Sequence, residues 1–181
     1  PEPPVFLAKQ ELFKYRPGAF LMRGYGAFPV DRRRADVRAL NWITRQLLSE
    51  HRMAMVFPEG TRSKVDGLLK GQAGLAHIAM STGVPIVPFG LTGSEGLQNP
   101  MRVLKPTATL RLNIGKPFVA SSTDGLDRRA SRRRAGDVTT EVMVRIAKLL
   151  PENKRGEYSD LCDIEMKATA DYSSSMSGGT A

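Results

Sequence analysis

The sequence predicts an α/β fold, a single domain with a mixed, largely parallel sheet flanked by helices. Two apolar runs, residues 52–57 and 84–91, are continuous rather than alternating, which is typical of strands buried on both faces of a parallel sheet. Stretches with helical periodicity separate the strands, and this alternation indicates the α/β class. A chain of 181 residues is long enough for one domain with its own core and too short for two.

Two short strands are predicted near the start of the chain. Residues 5–8 are apolar and run into a helical turn at residues 10–13, and residues 26–32 hold a second brief strand. The intervening residues 18–26 contain too many glycines for a helix, because each glycine weakens a helix interior.

Three helices are predicted from the spacing of apolar residues. The first covers residues 35–50, and Asp36 suits its first turn because the helix dipole favours negative charge there. The second covers residues 71–82. The third covers residues 138–150, with Asp137 as its expected N-cap.

The remaining segments are expected to lie at the periphery. Residues 108–115 alternate between apolar and polar side chains and predict a half-buried strand. Residues 119–136 are rich in arginine and predict a mobile charged connection. The folded domain is expected to cover residues 1–160, followed by a disordered tail over residues 161–181 that ends in serine and glycine.

Charge indicates an anionic partner. Lysine and arginine outnumber aspartate and glutamate by 27 to 18, for a net charge of +9. Nucleic acid, a membrane surface and a phosphorylated substrate all fit this excess. Cys162 is the single cysteine, so an internal disulfide is excluded. No run of apolar residues approaches the roughly 18 that a membrane-spanning helix needs, and no cluster of metal ligands is visible, so no metal is expected.

The stretch "MVFPEGTRS", residues 55–63, carries the most informative side chains. It directly follows a predicted strand, at the sheet edge where α/β proteins bind ligands. Arg62 suits phosphate because its guanidinium forms two parallel hydrogen bonds, while Gly60 allows close approach of the backbone and Thr61 adds a hydroxyl. Glu59 would orient Arg62 or bind a substrate hydroxyl. The structural alternative is a loop salt bridge between Glu59 and Arg62.

A second basic block, "GAFPVDRRR", lies at residues 26–34. Arg32 directly follows the predicted strand end and is expected to point into the same cleft. Arg33 and Arg34 are expected to form a solvated basic lead into the next helix.

Three blocks together resemble the 1-acyl-sn-glycerol-3-phosphate acyltransferase (lysophosphatidate acyltransferase) family. They are "GAFPVDR", "VFPEGTRS" and "GVPIVPFGLTGSE", and their order and spacing agree with the family over about residues 5–160. The resemblance implies a site for the glycerol phosphate. The residues it assigns to that site are Arg32, Glu59, Gly60, Thr61 and Arg62.

The chain departs from the family in one respect. The family's chemistry uses a box of His, four residues and Asp, in which His removes a proton from the acceptor hydroxyl and Asp orients the His. Only His51 and His77 are present, and the fifth residue after each is Val56 or Thr82. We expect the catalytic His and Asp upstream of Pro1. The domain would then be N-terminally incomplete, and this chain alone inactive.

The resemblance implies acyl transfer from acyl-CoA or acyl carrier protein to lysophosphatidate, giving phosphatidate for phospholipid biosynthesis. No bound cofactor is expected. The implied location is the cytoplasmic face of the membrane, either peripheral or through an upstream segment. Basic side chains near an anionic membrane surface would hold the protein there. The arginines expected to do so are Arg128, Arg129, Arg132, Arg133 and Arg134.

Two alternatives belong to other functional classes. The first is a non-catalytic phospholipid-binding module that keeps the phosphate site. The second is a nucleic-acid binder that uses the arginines of residues 32–34 and 128–134. The sequence has no aromatic residues among those arginines that could stack on bases, and it contains no recognisable nucleic-acid-binding module. Nucleic acid is therefore not an expected partner.

Overall fold

The structure, a computed structural model, describes residues 3–31, 36–61, 67–94, 109–123 and 125–173. Contacts group the chain into two compact units, Pro1–Thr61 and Arg62–Ala181, where the sequence predicted one domain. The predicted boundary between residues 160 and 161 stays a prediction. In the described part of the chain, no helix combines the length and the apolar character needed to cross a membrane.

The first unit contains a parallel three-stranded sheet. Its strands are β1 (Val5–Lys9), β2 (Ala27–Val30) and β3 (Ala54–Met55). The spatial order is β2-β1-β3, and the ladder sets Phe6 opposite both Ala27 and Met55. The predicted strand over residues 52–57 is therefore shorter in the structure. Its ladder stops at Met55 because the chain then turns, and the Phe57 carbonyl accepts from the Gly60 N–H instead.

Helix α1 (Arg16–Gly24) connects β1 to β2, after a 3-10 turn over Gln10–Phe13. The prediction that glycine excludes a helix here was wrong. Pro17 lies in the first turn, where its missing N–H does no harm. The helix ends because Gly26 adopts a positive φ of 79°, a conformation that glycine reaches without strain. Ala19 and Met22 are half-buried on its inner face.

Helix α2 (Val37–Leu48) connects β2 to β3 and confirms the predicted helix with narrower bounds. Asp36 is its N-cap, since the carboxylate accepts from the Ala39 N–H at 3.2 Å. Ile43 is fully buried. Trp42 stacks on Phe28 of β2, with ring centroids 4.6 Å apart.

The second unit is built on helices α3 (Gly74–Thr82) and α4 (Arg128–Ala147). Two antiparallel strand pairs accompany them. Strand β4 (Phe89–Thr92) pairs with β5 (Arg111–Ile114), and β6 (Phe118–Ala120) pairs with β7 (Thr169–Asp171). The mixed α/β class is confirmed. Instead of the predicted strand over residues 84–91, the structure has strand β4, which begins five residues later. Among the described residues, β4 pairs with β5 and the pairing is antiparallel.

Two predictions about this unit's surface were wrong. Strand β5 is exposed rather than half-buried, including Leu112 and Ile114. Helix α4 begins ten residues earlier than expected, so residues 128–136 are helical rather than a mobile connection. Its N-cap is Asp127, which accepts from the Ala130 N–H at 2.7 Å. Arginine and alanine both favour helix, so the charged run extends the helix instead of interrupting it.

The described part of the predicted disordered tail, residues 161–173, is ordered. Strand β7 pairs with β6, and Glu141 of α4 holds the chain just before it. The buried Glu141 carboxylate accepts from the backbone N–H groups of Lys167 and Ala168 at 2.7 and 2.8 Å. These distant contacts outweigh the low-complexity composition. Residues 174–181 lie outside the described residues.

Candidate functional site

A tight turn follows β3 at the candidate site. The Gly60 N–H donates to the Phe57 carbonyl at 3.0 Å, which closes a four-residue turn. Pro58 occupies its second position, where the fixed φ of proline fits. Gly60 has a φ of 66°, a left-handed conformation in which a side chain would be strained. The sequence therefore places Glu59 and Thr61 on a defined turn.

The parallel strand directions bring this turn to the same sheet edge as the end of β2. The last residues of β1, β2 and β3 are Lys9, Val30 and Met55, and all three strands end at one edge. Residues 58–61 follow β3 there, and Asp31 follows β2. Because β1 lies between the two, the ends of β2 and β3 are two strand spacings apart across the sheet, about 10 Å, and the register sets Met55 level with Ala27, three residues or about 10 Å before Val30 along the strands.

The structure describes three of the five predicted site residues. Glu59 and Gly60 are half-buried and Thr61 is exposed. Glu59 has an interaction partner, so it is not an isolated carboxylate. Arg32 and Arg62 lie outside the described residues. The prediction that their guanidinium groups open into one cavity beside Glu59 therefore stays a prediction.

Lys9 is a candidate site residue that the sequence predictions missed. It is the last residue of β1, the middle strand, where it lies opposite Val30 at the end of β2 and three residues beyond the level of Met55 at the end of β3. Its ammonium group forms an ion pair with Glu11 at 3.6 Å and remains substantially exposed. The sequence did contain a signal for Lys9, because it directly follows the predicted strand over residues 5–8 and therefore places a positive charge at the ligand-binding edge of the sheet. Only the strand order shows that this strand is the central one.

The Asp36 side chain forms hydrogen bonds with Asp31 and Ala39, one before and one after Arg32 in the sequence. One carboxylate oxygen accepts from the Asp31 N–H at 3.1 Å, at the end of β2, and the other caps α2. The side chain is only 7% exposed. The hydrogen bond from Asp31 lowers the pKa of Asp36 below its ordinary value of 3.8, and the Ala39 N–H and the Arg38 charge add to the effect. Ionised Asp36 thus holds the β2 end against the start of α2.

Neither histidine lies in an arrangement that suggests a catalytic base. His51 is exposed in the loop after α2, with a φ of 50°, and His77 is exposed on α3 of the second unit. The catalytic residues stay unassigned. Among the residues described here, no group of three or more His, Cys, Asp or Glu side chains is placed to hold a metal ion.

The predicted arginine cluster occupies the first two turns of α4. Arg128, Arg129, Arg132 and Arg133 are exposed, and Arg134 is half-buried. A shallow concavity here is also lined by Asp127 and Asp137, whose charges offset part of the positive field. The cluster is thus accessible to an anionic surface.

Comparison with known proteins gives a consistent result. A family model described as "Acyltransferase" matches residues 1–92, which include the "GAFPVDR" and "VFPEGTRS" blocks. A 1-acyl-sn-glycerol-3-phosphate acyltransferase of Bacillus subtilis is 32% identical over 151 residues, covering 82% of this chain and 69% of that protein. One from Streptococcus pneumoniae is 31% identical over 137 residues, covering 76% of this chain and 49% of that protein.

A solved structure is also similar. The crystal structure of the 1-acyl-sn-glycerophosphate acyltransferase PlsC from Thermotoga maritima matches with a TM-score of 0.50 and 26% identity, over 75% of this chain and 54% of that one. A 1-acyl-sn-glycerol-3-phosphate acyltransferase of coconut (Cocos nucifera) is 30% identical over 115 residues. The match covers 61% of this chain and 37% of that protein. The chain thus spans about half or less of the length of several of these relatives.

Proposed function

The chain belongs to the Acyltransferase family, and from that membership we propose that the protein transfers an acyl chain to the free hydroxyl of lysophosphatidate, giving phosphatidate. The observation that carries the proposal is the similarity to the Bacillus subtilis 1-acyl-sn-glycerol-3-phosphate acyltransferase, which extends over 82% of this chain. The turn at residues 57–60, at the carboxyl edge of a parallel sheet, supports it, because that edge is where α/β proteins hold ligands.

The acceptor phosphate binds over the carboxyl end of β1 in this proposal. The proposed phosphate ligands are Arg62, which follows Thr61 in the sequence after β3, and Arg32, which follows β2 by two residues in the sequence. Lys9 contributes a third positive charge from the middle strand. Three cations around one position repel each other, and a bound phosphate dianion relieves that repulsion. The backbone at Gly60 allows close approach, and the Thr61 hydroxyl donates a hydrogen bond.

Catalysis in the proposed reaction requires a base outside the residues assigned so far. A His oriented by an Asp would remove the proton of the acceptor hydroxyl, the oxygen would attack the thioester carbonyl, and the thiol of the donor would leave. Either acyl-CoA or acyl carrier protein fits as the donor. Glu59 would orient Arg62 or accept a hydrogen bond from the acceptor glycerol.

The proposed location is the cytoplasmic face of the membrane, where both substrate and product reside. The exposed arginines of α4 support attachment to an anionic surface. This electrostatic attachment weakens with salt because exposed charges are screened within about 8 Å at physiological ionic strength.

Direct assay of the full-length protein tests the reaction. We expect phosphatidate from lysophosphatidate with acyl-CoA or with acyl carrier protein as donor, and a far slower reaction with monoacylglycerol, which lacks the phosphate. Binding of lysophosphatidate without product from either donor would contradict the proposal and favour a phospholipid-binding module.

A further inference from the structure

Five large apolar side chains are exposed within one short stretch of the first unit, residues 12–25. They are between 53% and 80% exposed, although three are aromatic. The five are Leu12, Tyr15, Phe20, Leu21 and Tyr25. Scattered exposed apolar residues are ordinary, but a concentration of this kind marks an interaction surface. We refer to residues 12–25 as the α1 surface.

Phe20 and Leu21, the two of these side chains that lie within helix α1, are exposed because the other face of the helix packs inward. Ala19 and Met22, three residues apart, are half-buried, and the helix contacts β2 and the turn before it. Phe20 lies on the opposite side and is the most exposed of the five. Its exposure therefore follows from the way the helix lies on the sheet.

Basic residues flank the apolar ones. Arg16 lies four residues before Phe20 and Arg23 three residues after it, so all three share one helical face. Lys14 is also exposed. Glu11 is the one acidic residue between positions 9 and 25, and it pairs with Lys9. The α1 surface is thus apolar and cationic with little opposing charge.

We propose that the α1 surface docks on an anionic phospholipid bilayer, with Phe20 and Leu21 inserted at the interface and Arg16 and Arg23 at the headgroups. Aromatic and basic residues on one short helix and at its two ends suit the interface, where rings meet acyl chains and cations meet phosphates. At nine residues, about 14 Å, α1 lies in the interface rather than spanning the membrane. A second copy of the chain fits less well, because a twofold contact would bring like charges together.

The position of the α1 surface relates it to the candidate site. The turn at Gln10–Phe13 begins where β1 ends, at the sheet edge that carries residues 58–61. Docking there would place the phosphate site near the headgroup level, where a lysophospholipid presents its phosphate. The reason to expect a bilayer rests on the proposed function, whereas the apolar and cationic character of the surface does not.

This contact differs in kind from the one proposed for α4. In the described part of the chain from residue 118 to the end of α4, the exposed large apolar side chain is Leu126, at 37%, so the α4 arginines provide electrostatic attraction without insertion. The α1 surface adds apolar burial, which salt does not screen. A probe that reports insertion depth therefore separates the two contacts.

Insertion is tested in the full-length protein with an environment-sensitive fluorophore on cysteine. Phe20→Cys carries the probe, and Glu152→Cys, at a side chain 90% exposed in the second unit, is the matched control. Cys162 is buried, and labelling of the unsubstituted protein measures its background. Vesicles of equal parts phosphatidylglycerol and phosphatidylcholine should shift the emission at position 20 to the blue and reduce iodide quenching several-fold. The probe at position 152 should not respond.

Paired variants test the charges. Arg16→Ala with Arg23→Ala should weaken vesicle affinity by about fivefold for each arginine and reduce the shift at position 20. Arg128→Ala with Arg132→Ala removes the same charge from α4 and should leave the insertion depth at position 20 unchanged. Circular dichroism of each pair checks that the exposed substitutions preserve the fold.

Three results would overturn the proposal. They are a probe at position 20 that stays quenchable while the protein sediments with vesicles, no vesicle binding at all, and a blue shift that rises with protein concentration without lipid. The last would indicate self-association. Vesicle binding requires no turnover, so a failed assay for phosphatidate would contradict the proposed function while leaving this result standing.

Discussion

The two compact units place their apolar residues differently. Both hydrophobic clusters among the described residues lie in the second unit, one centred on Phe118 and Val142 and the other on Met143 and Tyr158. The first unit buries mostly small or single residues, such as Val5 and Ile43, and exposes the large apolar side chains of the α1 surface. It also carries the described residues of the candidate phosphate site, Glu59, Gly60 and Thr61. We infer that the second unit provides most of the packing free energy, whereas the first carries the surfaces proposed to contact the substrate and the lipid.

The largest expected effect tests the second unit as the source of stability. Phe118 is fully buried, and the Arg145 guanidinium lies 4.4 Å from its ring centroid. Phe118→Ala should lower the free energy of unfolding by about 3–5 kcal/mol, because it removes buried area and leaves a cavity. Phe57→Ala, at a side chain 63% exposed in the first unit, should change it by less than about 0.5 kcal/mol. Denaturant titration measures both, and equal effects would remove the contrast between the units.

A charge-conserving substitution in the site should affect activity without affecting stability. Arg62→Lys keeps the charge but loses the two-pronged geometry, so kcat/KM for lysophosphatidate should fall about 10- to 100-fold. Arg38→Lys, at a side chain 83% exposed on α2, is the matched control and should leave kcat/KM unchanged. If lysine at position 62 supports normal activity, the phosphate is held in another way.

The smallest expected effect concerns the support of the site by Asp36. Asp36→Ala removes the α2 N-cap and the hydrogen bond from Asp31, and should destabilise the protein by about 1 kcal/mol. The pKa of Asp36 is lowered by folding, so its ionic contribution is present above the ordinary value of 3.8 and is lost as pH falls below it. Unfolding curves between neutral pH and pH 3 measure this loss.

Asp36→Asn is the corresponding control. The amide oxygen still caps α2, whereas the charge is gone, so this variant should be less destabilised than Asp36→Ala and should lack the loss of stability near pH 3 attributable to residue 36. An identical pH profile in the wild-type protein and in Asp36→Asn would show that other carboxylates cause the acid sensitivity.

Local signals in the sequence predicted several features correctly. Helix α2 was predicted from apolar spacing, and the "VFPEGTRS" and "GAFPVDR" blocks resemble the family that the comparisons show. Asp36, predicted within the first turn of α2, is instead its N-cap. Predictions failed where local preference conflicted with packing. Glycines argued against α1, yet its inner face packs against β2 and the preceding turn, and that contact outweighs a weak intrinsic preference.

By itself, the sequence determined features that depend on neighbouring residues. The turn at residues 57–60 follows from the fixed φ of Pro58 and the freedom of Gly60, and the cap of α2 follows from a carboxylate three residues before Ala39. The net charge of +9 and the family motif also follow directly from the sequence.

Only the tertiary structure decided which distant segments meet. The order β2-β1-β3 places Lys9 between the two strands that lead to the predicted site arginines. Glu141 orders residues 167–169 across 26 to 28 positions of sequence, and thereby turns an expected tail into strand β7. Strand pairing and burial depend on partners far along the chain, and a pattern of neighbouring residues does not specify those partners.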